Sequence, residues 1–174
     1  MSGTFCSDEA KRLAALEMLK ADDADRDDIL EKFTRLTSEL LGIPGSFVSI
    51  LDDENQFIKA SCNFDLKQTS LQNAFCRHTL ALGTVLVCND THRDPRFSQH
   101  PLTLGEPFIR FYVGAPLRNR DGILIGTLCV TDVKPQTFSD DKIELLELLA
   151  GLVIGYLDAW YIAGYQDVVT RLPN

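Results

Sequence analysis

The chain has 174 residues, of which 45% are hydrophobic and 24% charged, and its formal net charge is −8. This composition is typical of one globular domain with helical additions and excludes a disordered chain. Because no run of Lys or Arg is interleaved with aromatic residues, we expect no nucleic-acid partner.

Neither end of the sequence has the pattern of a membrane or export segment. Met1 to Lys20 has charges throughout and lacks the apolar core of a signal peptide. The longest apolar stretch, Leu145 to Ala163, is interrupted by Gly151, Gly155 and Asp158, whereas a spanning helix needs about 20 mostly apolar residues. We therefore predict a cytoplasmic domain with no membrane partner.

Two amphipathic helices are predicted ahead of the sheet. Apolar residues recur at spacings of three and four from Ser7 to Lys20 and again from about Asp27 to Leu41. The aspartates between these helices do not form an EF-hand, because a frame starting at Asp23 puts Asp28 where glycine is required. They favour helix capping instead.

The middle of the chain alternates strands with one short helix. The helix is predicted over Leu71 to Leu82 and ends at Gly83. From Asn89 to Ile109 the sequence is irregular and contains three prolines, and a loop of that length is usually functional. Five strands are predicted, at Ser46–Leu51, about Ile58–Phe64, Thr84–Cys88, Arg110–Leu117 and Ile123–Thr131.

The last helix is predicted from near Ser139 to about Gln166, and it has two apolar stripes. One stripe can pack on the domain, and the other needs a partner, so we expect a homodimer through the terminal helices. The stripes are Leu145, Leu149, Leu152, Tyr156 and Trp160, and Leu146, Val153, Leu157 and Gly164.

This order of elements predicts an α+β fold. A mostly antiparallel central sheet would have the terminal helices on one face, and the short helix and the long loop on the other. The loop face can enclose a pocket.

Four segments of the sequence carry a family resemblance. They are Phe75-Cys76-Arg77-His78; Asp90 with Asp94-Pro95-Arg96-Phe97; Gly105-Glu106-Pro107 with Ile109 to Leu117; and Gly126 to Val130 followed by Asp132. In this order and spacing, from about Leu40 to Leu157, they resemble a sensory subgroup of GAF domains. The resemblance implies a GAF fold and a regulatory role in a bacterial signalling protein.

The last eight residues carry a second resemblance. Asp167 to Asn174 is similar to the D-x-L-T-G-L-P-N opening of GGDEF domains, with departures at Val169 and Arg171. The likeness implies a downstream diguanylate cyclase, which converts two GTP into cyclic di-GMP with residues beyond Asn174, so we expect no enzyme activity in this fragment. The implied division is an N-terminal helix at 1–26, a GAF domain at 27–158, and the end of the signalling helix with the GGDEF start at 159–174.

The predicted pocket lies between the short helix, the long loop and the strand from Arg110. We expect it to take an unknown small molecule, and we identify no metal or cofactor. Its predicted residues are the donors His78, Arg96 and Arg110, the apolar walls Phe75, Phe97, Phe108 and Tyr112, and Cys76 and Asp90.

Other roles for the same residues stay open. Asp90, Asp94, Arg96 and Arg110 can instead form a salt-bridge network that holds the loop, which would leave a ligand-free dimerisation domain. Another alternative is a small thiol enzyme that uses Cys76 and resembles the free methionine sulfoxide reductases.

The thiol alternative needs a second cysteine within reach. Cys62, Cys88 and Cys129 lie in apolar strands, where a free cysteine is usually inert. Cys76 and His78 are two residues apart, so on a helix they point to different faces and cannot act as nucleophile and base together.

Overall fold

A computed structural model describes the backbone of residues 2–170 and the side chains of residues 9–164. The described helices are α1 Ser2–Lys20, α2 Ala24–Leu41, α3 Cys76–Leu82, α4 Pro101–Leu104 and α5 Asp140–Thr170. The strands are β1 Gly45–Leu51, β2 Asn55–Cys62, β3 Gln68–Ser70, β4 Leu86–Cys88, β5 Phe111–Arg118 and β6 Leu124–Asp132.

The strands form one six-stranded sheet in the order β3-β2-β1-β6-β5-β4. Every neighbouring pair is antiparallel. This confirms the α+β class, with helices packed against a central antiparallel sheet.

Alternation along the strands divides the core between the two faces of the sheet. Successive side chains of a strand point to opposite faces, so each central strand contributes to both cores. The face under α1, α2 and α5 buries Val48, Val113, Leu128 and Val130 against helix residues such as Leu30, Leu146 and Val153. The other face buries Phe47, Tyr112 and Cys129 against Phe75, Cys76 and Phe97.

The sequence-based boundaries differ from the structure in the connecting segments. The helix predicted over Leu71–Leu82 is shorter: Leu71–Asn73 form a 3₁₀ turn, and α3 begins at Cys76. The break is at Ala74, whose backbone is extended. The strand predicted at Thr84–Cys88 is the three-residue edge strand β4, and the short polar strand β3 was not predicted.

The long loop is more ordered than its prolines suggested. Thr91–Arg93 form a 3₁₀ turn capped by the side chain of Asp90. α4 has Pro101 at its start, where the missing N–H costs nothing, and His100 as its N-cap.

α5 was predicted to need a partner for one of two apolar stripes, but most of both stripes packs on the chain itself. Leu146, Leu149 and Val153 are buried in the core, and Tyr156 and Trp160 are partly buried against it. Leu152, a member of the first predicted stripe, is 59% exposed in the single chain, because its face points away from the sheet. The exposed face consists of Glu144, Glu147, Leu148, Gly151, Leu152, Gly155, Ala159 and Ala163.

Residues Asp140–Gly164 of α5 are long and apolar enough to cross a membrane by composition alone, with a mean hydropathy of 1.6. The same helix buries Leu146 and Val153 completely against the sheet. Its hydrophobicity is therefore accounted for in part by its packing within the domain.

The junction of α1, α2 and α5 contains a buried cation. Arg26 is only 1% exposed and donates hydrogen bonds to the carbonyls of Met18, at 3.3 Å, and Ala21, at 2.6 Å. It is paired with Asp27 at 2.9 Å, and its guanidinium carbon lies 4.5 Å from the centre of the Trp160 ring. One side chain thus joins all three terminal helices.

The acidic turn before α2 also has the capping role that its sequence predicted. Asp23 is the N-cap of α2 and accepts a hydrogen bond from the backbone N–H of Arg26 at 3.0 Å. It also accepts the indole N–H of Trp160 at 3.2 Å. This carboxylate therefore adds a second tie between α2 and α5.

We predict that Arg26→Ala lowers the free energy of unfolding by about 3 kcal/mol, because the carbonyls of Met18 and Ala21 lose their donor, Asp27 loses its partner and the packing of the buried side chain is lost. Arg35→Ala, at an exposed position of the same helix, is the matched control and should cost less than about 0.5 kcal/mol. Urea unfolding followed by circular dichroism measures both changes. Equal losses of unfolding free energy in the two variants would show that the buried guanidinium does not stabilise the junction of the three helices.

Candidate functional site

Six buried side chains with hydroxyl or thiol groups meet between α3 and the sheet, and we call them the buried network. They come from three strands and one helix, and each is fully buried. β1 contributes Ser49, α3 contributes Cys76 and Thr79, β5 contributes Tyr112, and β6 contributes Thr127 and Cys129.

Cys76 is at the centre of the buried network. Its Sγ lies 3.4 Å from the Sγ of Cys129 and accepts hydrogen bonds from Thr127 Oγ1, at 3.1 Å, and Tyr112 OH, at 3.4 Å. Tyr112 OH is also 2.8 Å from Thr79 Oγ1. Cys129 lies in a buried strand, as its sequence predicted, and the fold also brings its thiol into contact with that of Cys76.

The buried network changes the pKa values of its members in different directions. Burial raises the pKa of Tyr112 and of Cys129 well above their ordinary values. Burial also acts to raise the pKa of Cys76, but hydrogen bonds from Cys129, Thr127 and Tyr112 outweigh it, and that pKa lies below its ordinary value. A negative charge in this network is therefore best accommodated on Cys76.

The backbone of β5 passes directly beneath the network at Gly114. A β-carbon at this position would lie 2.3 Å from Tyr112 OH and 2.6 Å from Thr79 Oγ1. Both distances are far inside van der Waals contact, so only glycine allows the tyrosine and threonine hydroxyls to meet here.

The predicted aromatic walls do lie together, but they fill the space between α3, α4 and the sheet. The ring centres of Phe75 and Phe97 are 4.4 Å apart, and Phe75 packs edge-on against His100 at 4.3 Å and Tyr112 at 5.3 Å. Phe108 does not take part, because its side chain is 50% exposed and belongs to neither buried core. The place predicted for a pocket is packed with side chains.

The two predicted arginine donors are each paired with a carboxylate. Arg110 donates to Asp90 at 3.0 Å, and Arg96 forms a two-pronged contact with Asp94, at 2.6 and 3.0 Å. The bond from Arg96 is the largest influence on Asp94, whose pKa it lowers. This is the loop-holding arrangement that the sequence left open as the alternative to ligand binding, formed here as two separate pairs.

Two histidines flank the aromatic cluster. His78 is half-buried, with its ring 5.0 Å from that of Phe97, and it points away from the fully buried Cys76, as their spacing predicted. His100 is 7% exposed, and its Nδ1 accepts the backbone N–H of Leu102 at 3.0 Å. Burial, with the nearby charges of His78 and Arg77, lowers the pKa of His100 to about 4.

Open space lies outside the aromatic cluster. A surface cavity of about 680 Å³ runs beside the edge strand β4 and includes Asp90 and Arg96 in its lining. The remainder of its lining is Val87–Asn89, Arg93–Pro95 and Pro135–Thr137. Of the nine predicted pocket residues, these two line this cavity.

Sequence reasoning missed four members of the buried network: Ser49, Thr79, Thr127 and Cys129. A signal for two of them was present, because Thr127 and Cys129 alternate with Gly126, Leu128 and Val130 along one strand. What alternation does not show is which strand lies opposite, and that depends on the order of the sheet.

We predict that Gly114→Ala lowers the free energy of unfolding by about 2 kcal/mol, because the added methyl group must displace two buried hydroxyls. Gln99→Ala, at an exposed position of the long loop, is the control and should change the free energy of unfolding by less than about 0.5 kcal/mol. Chemical denaturation of the two variants measures both changes. A neutral Gly114→Ala would contradict the packing described for the network.

A second prediction concerns pH. The pKa of His100 is about 4 in the folded chain against an ordinary value of 6.5, so between these values the unfolded chain takes up a proton that the folded chain does not. Stability should then fall as the pH drops from 6.5 to 4, by up to about 3 kcal/mol from this residue.

His100→Asn keeps a capping side chain at the start of α4 and should remove most of that loss. His92→Asn, at an exposed position, is the control and should keep the pH dependence of the unchanged chain. Unfolding free energies of the two variants, measured at pH 7 and pH 4.5, test this prediction. An equal loss of stability between the two pH values in both variants would refute it.

Comparison with known proteins adds a family match. The model of the GAF domain family matches residues 25–156. A curated protein from Pseudomonas aeruginosa, named "Cyclic di-GMP phosphodiesterase", is 33% identical over 171 residues, which cover 98% of this chain and 29% of that protein. The chain thus spans less than a third of the relative's length.

Solved structures share the fold at low sequence identity. The GAF domain of an Acinetobacter phosphoenolpyruvate-protein phosphotransferase has a TM-score of 0.68 at 15% identity, covering 89% of this chain and 98% of that one. Free methionine-R-sulfoxide reductase from Neisseria meningitidis has a TM-score of 0.67 at 19% identity, covering 85% and 87%. The PixJ GAF domain of Thermosynechococcus elongatus also has 0.67, at 17% identity, covering 84% and 92%.

Proposed function

This chain belongs to the GAF family of sensory domains in signalling proteins, and we propose that it controls an output domain that makes or hydrolyses cyclic di-GMP in the cytoplasm. Two observations support an output domain that acts on cyclic di-GMP. The relative that matches 98% of the chain is named as a cyclic di-GMP phosphodiesterase. The GGDEF-like residues from Asp167 to Asn174 favour a GGDEF domain directly after the chain; of these, residues 171–174 lie outside the described part.

The exposed face of α5 is the observation that carries the regulatory part of the proposal. Leu148 and Leu152 are 63% and 59% exposed, one helical turn apart. Gly151 and Gly155 have open space above them, so another helix can approach closely at this face. We propose that a second copy of the chain covers it, with the α5 helices parallel.

Parallel α5 helices would connect sensing to output. Each helix is fixed to its own sheet through Leu146 and Val153, and it continues as one helix to Thr170. A change at the loop face or at the junction of the terminal helices would then alter how the two helix ends are oriented. Because cyclase chemistry joins two GTP-loaded domains, the orientation of the helix ends is an effective control of its rate.

The test is a change of helix phase in the full-length protein. Two alanines inserted after Gln166, nine positions after the buried Leu157, turn everything downstream by about 200°, and should change the rate of cyclic di-GMP synthesis or hydrolysis by roughly fivefold or more. Seven inserted residues restore the phase and are the matched control, with a rate within about twofold of the unchanged protein. Equal rates in all three proteins would refute control through α5.

Dimer formation has its own readout. Leu152→Glu puts a charge on the exposed face of α5 and should make the protein monomeric, which light scattering measures. Leu82→Glu, at an exposed leucine of α3 on the opposite side of the sheet, should leave the dimer intact. Dimers that survive Leu152→Glu would show that another surface is used.

A second candidate function is a dimerisation domain without a small-molecule ligand. It is favoured by the aromatic side chains that fill the predicted pocket and by the Asp90–Arg110 and Asp94–Arg96 pairs. Native mass spectrometry of the purified chain separates the two: a bound metabolite supports sensing by ligand, and the bare mass supports dimerisation alone.

A further inference from the structure

The contact between Cys76 and Cys129 joins two elements that are distant in sequence. Cys76 is the first residue of α3, and Cys129 lies 53 positions later, in the middle of β6. Their sulfur atoms are 3.4 Å apart and both side chains are fully buried. A disulfide needs about 2.05 Å, so a shift of little more than 1 Å would bring the sulfurs to bonding distance.

The surroundings of this pair differ from those of an inert buried cysteine. A cysteine packed only among apolar groups has no support for the thiolate, which is the reactive form. Here Thr127 and Tyr112 both donate hydrogen bonds to the sulfur of Cys76. Cys88 is the opposite case, because burial and the nearby Asp94 raise its pKa to about 12.

We propose that Cys76 and Cys129 are an oxidation site, at which a hydroperoxide converts the two thiols into one intramolecular disulfide. The oxidant must be small, since neither sulfur is exposed. Hydrogen peroxide meets this condition, and its entry requires only local opening of α3, a helix of seven residues.

The reaction balances in two steps. The Cys76 thiolate attacks one peroxide oxygen, the O–O bond breaks, and Cys76 becomes a sulfenic acid as the other oxygen leaves as water after taking up a proton. Cys129 then attacks the sulfenic sulfur, the S–S bond forms, and the hydroxyl leaves as a second water. The two sulfurs together lose two electrons, and the peroxide gains them.

The bond would fix the first residue of α3 to the middle of β6. Leu128 and Val130, the neighbours of Cys129, pack into the core that also holds α5. Oxidation on one face of the sheet would thus act on a strand that supports α5 on the other. The proposal does not depend on which output domain follows the chain.

The test uses the 174-residue chain and a variant in which Cys6, Cys62 and Cys88 are serine, so that only the pair remains. After treatment with hydrogen peroxide and alkylation in denaturant, both proteins should contain linked peptides with Cys76 and Cys129. The variant should also lose the mass of two hydrogen atoms and take up no alkylating reagent. The link should raise the melting temperature by roughly 5–10 °C, and a thiol reductant should reverse it.

Adding Cys129→Ser to the variant should stop the reaction at the sulfenic acid, which dimedone traps at Cys76. The proposal would be overturned if Cys76 and Cys129 were both still alkylated after a peroxide treatment strong enough to oxidise Cys62 in the unchanged chain. Disulfides formed only between separate chains would also overturn it. Because these readouts are masses, they are independent of cyclic di-GMP turnover and of dimer formation.

Discussion

The hairpin of β5 and β6 is buried on both of its faces, and this constraint determines how the rest of the molecule is arranged. Leu128 and Val130 point to the core under the terminal helices, while Thr127 and Cys129, between and beside them, point to α3. Adjacent residues of one strand therefore belong to opposite sides of the domain. A movement of β6 that accommodates a change on one side of the sheet must therefore also displace side chains on the other side.

That arrangement explains how a sensory face and an output helix can be coupled across one sheet. The terminal helices are held to each other by the buried guanidinium of Arg26 and by the Asp23 carboxylate. A long part of α5 is held to the sheet by Leu146, Leu149 and Val153. α5 thus behaves as one piece with the sheet along its packed length, and among its described side chains those of the exposed face point away from the domain.

The fold was predictable because strand and helix periodicities are local properties of the sequence. Alternation fixed the faces of β5 and β6, and the three-and-four spacing located α2 and α5 close to their observed bounds. The predictions failed where the outcome depended on tertiary neighbours. The helix predicted from Leu71 instead begins at Cys76, because the backbone at Ala74 is extended.

In the candidate site, too, local patterns were predictable and tertiary contacts were not. The motifs brought Phe75, Phe97 and Tyr112 together as predicted, but they could not show that these rings would fill the space they enclose. The four charged residues Asp90, Asp94, Arg96 and Arg110 were predicted as a network, but the pairs were not: Asp94 is two residues from Arg96, whereas Asp90 is 20 positions from Arg110. The meeting of Cys76 with Cys129 could not be predicted, because it requires the position of α3 over β6.

The central claim is that α5 and the β5–β6 hairpin form one rigid unit through which the domain acts. Backbone hydrogen exchange under native conditions tests it most directly. We predict that amides from Leu146 to Leu157 exchange as slowly as those of β5 and β6, through the same global opening. Exchange of these α5 amides at the rate of the exposed loops, with the hairpin still protected, would contradict the account.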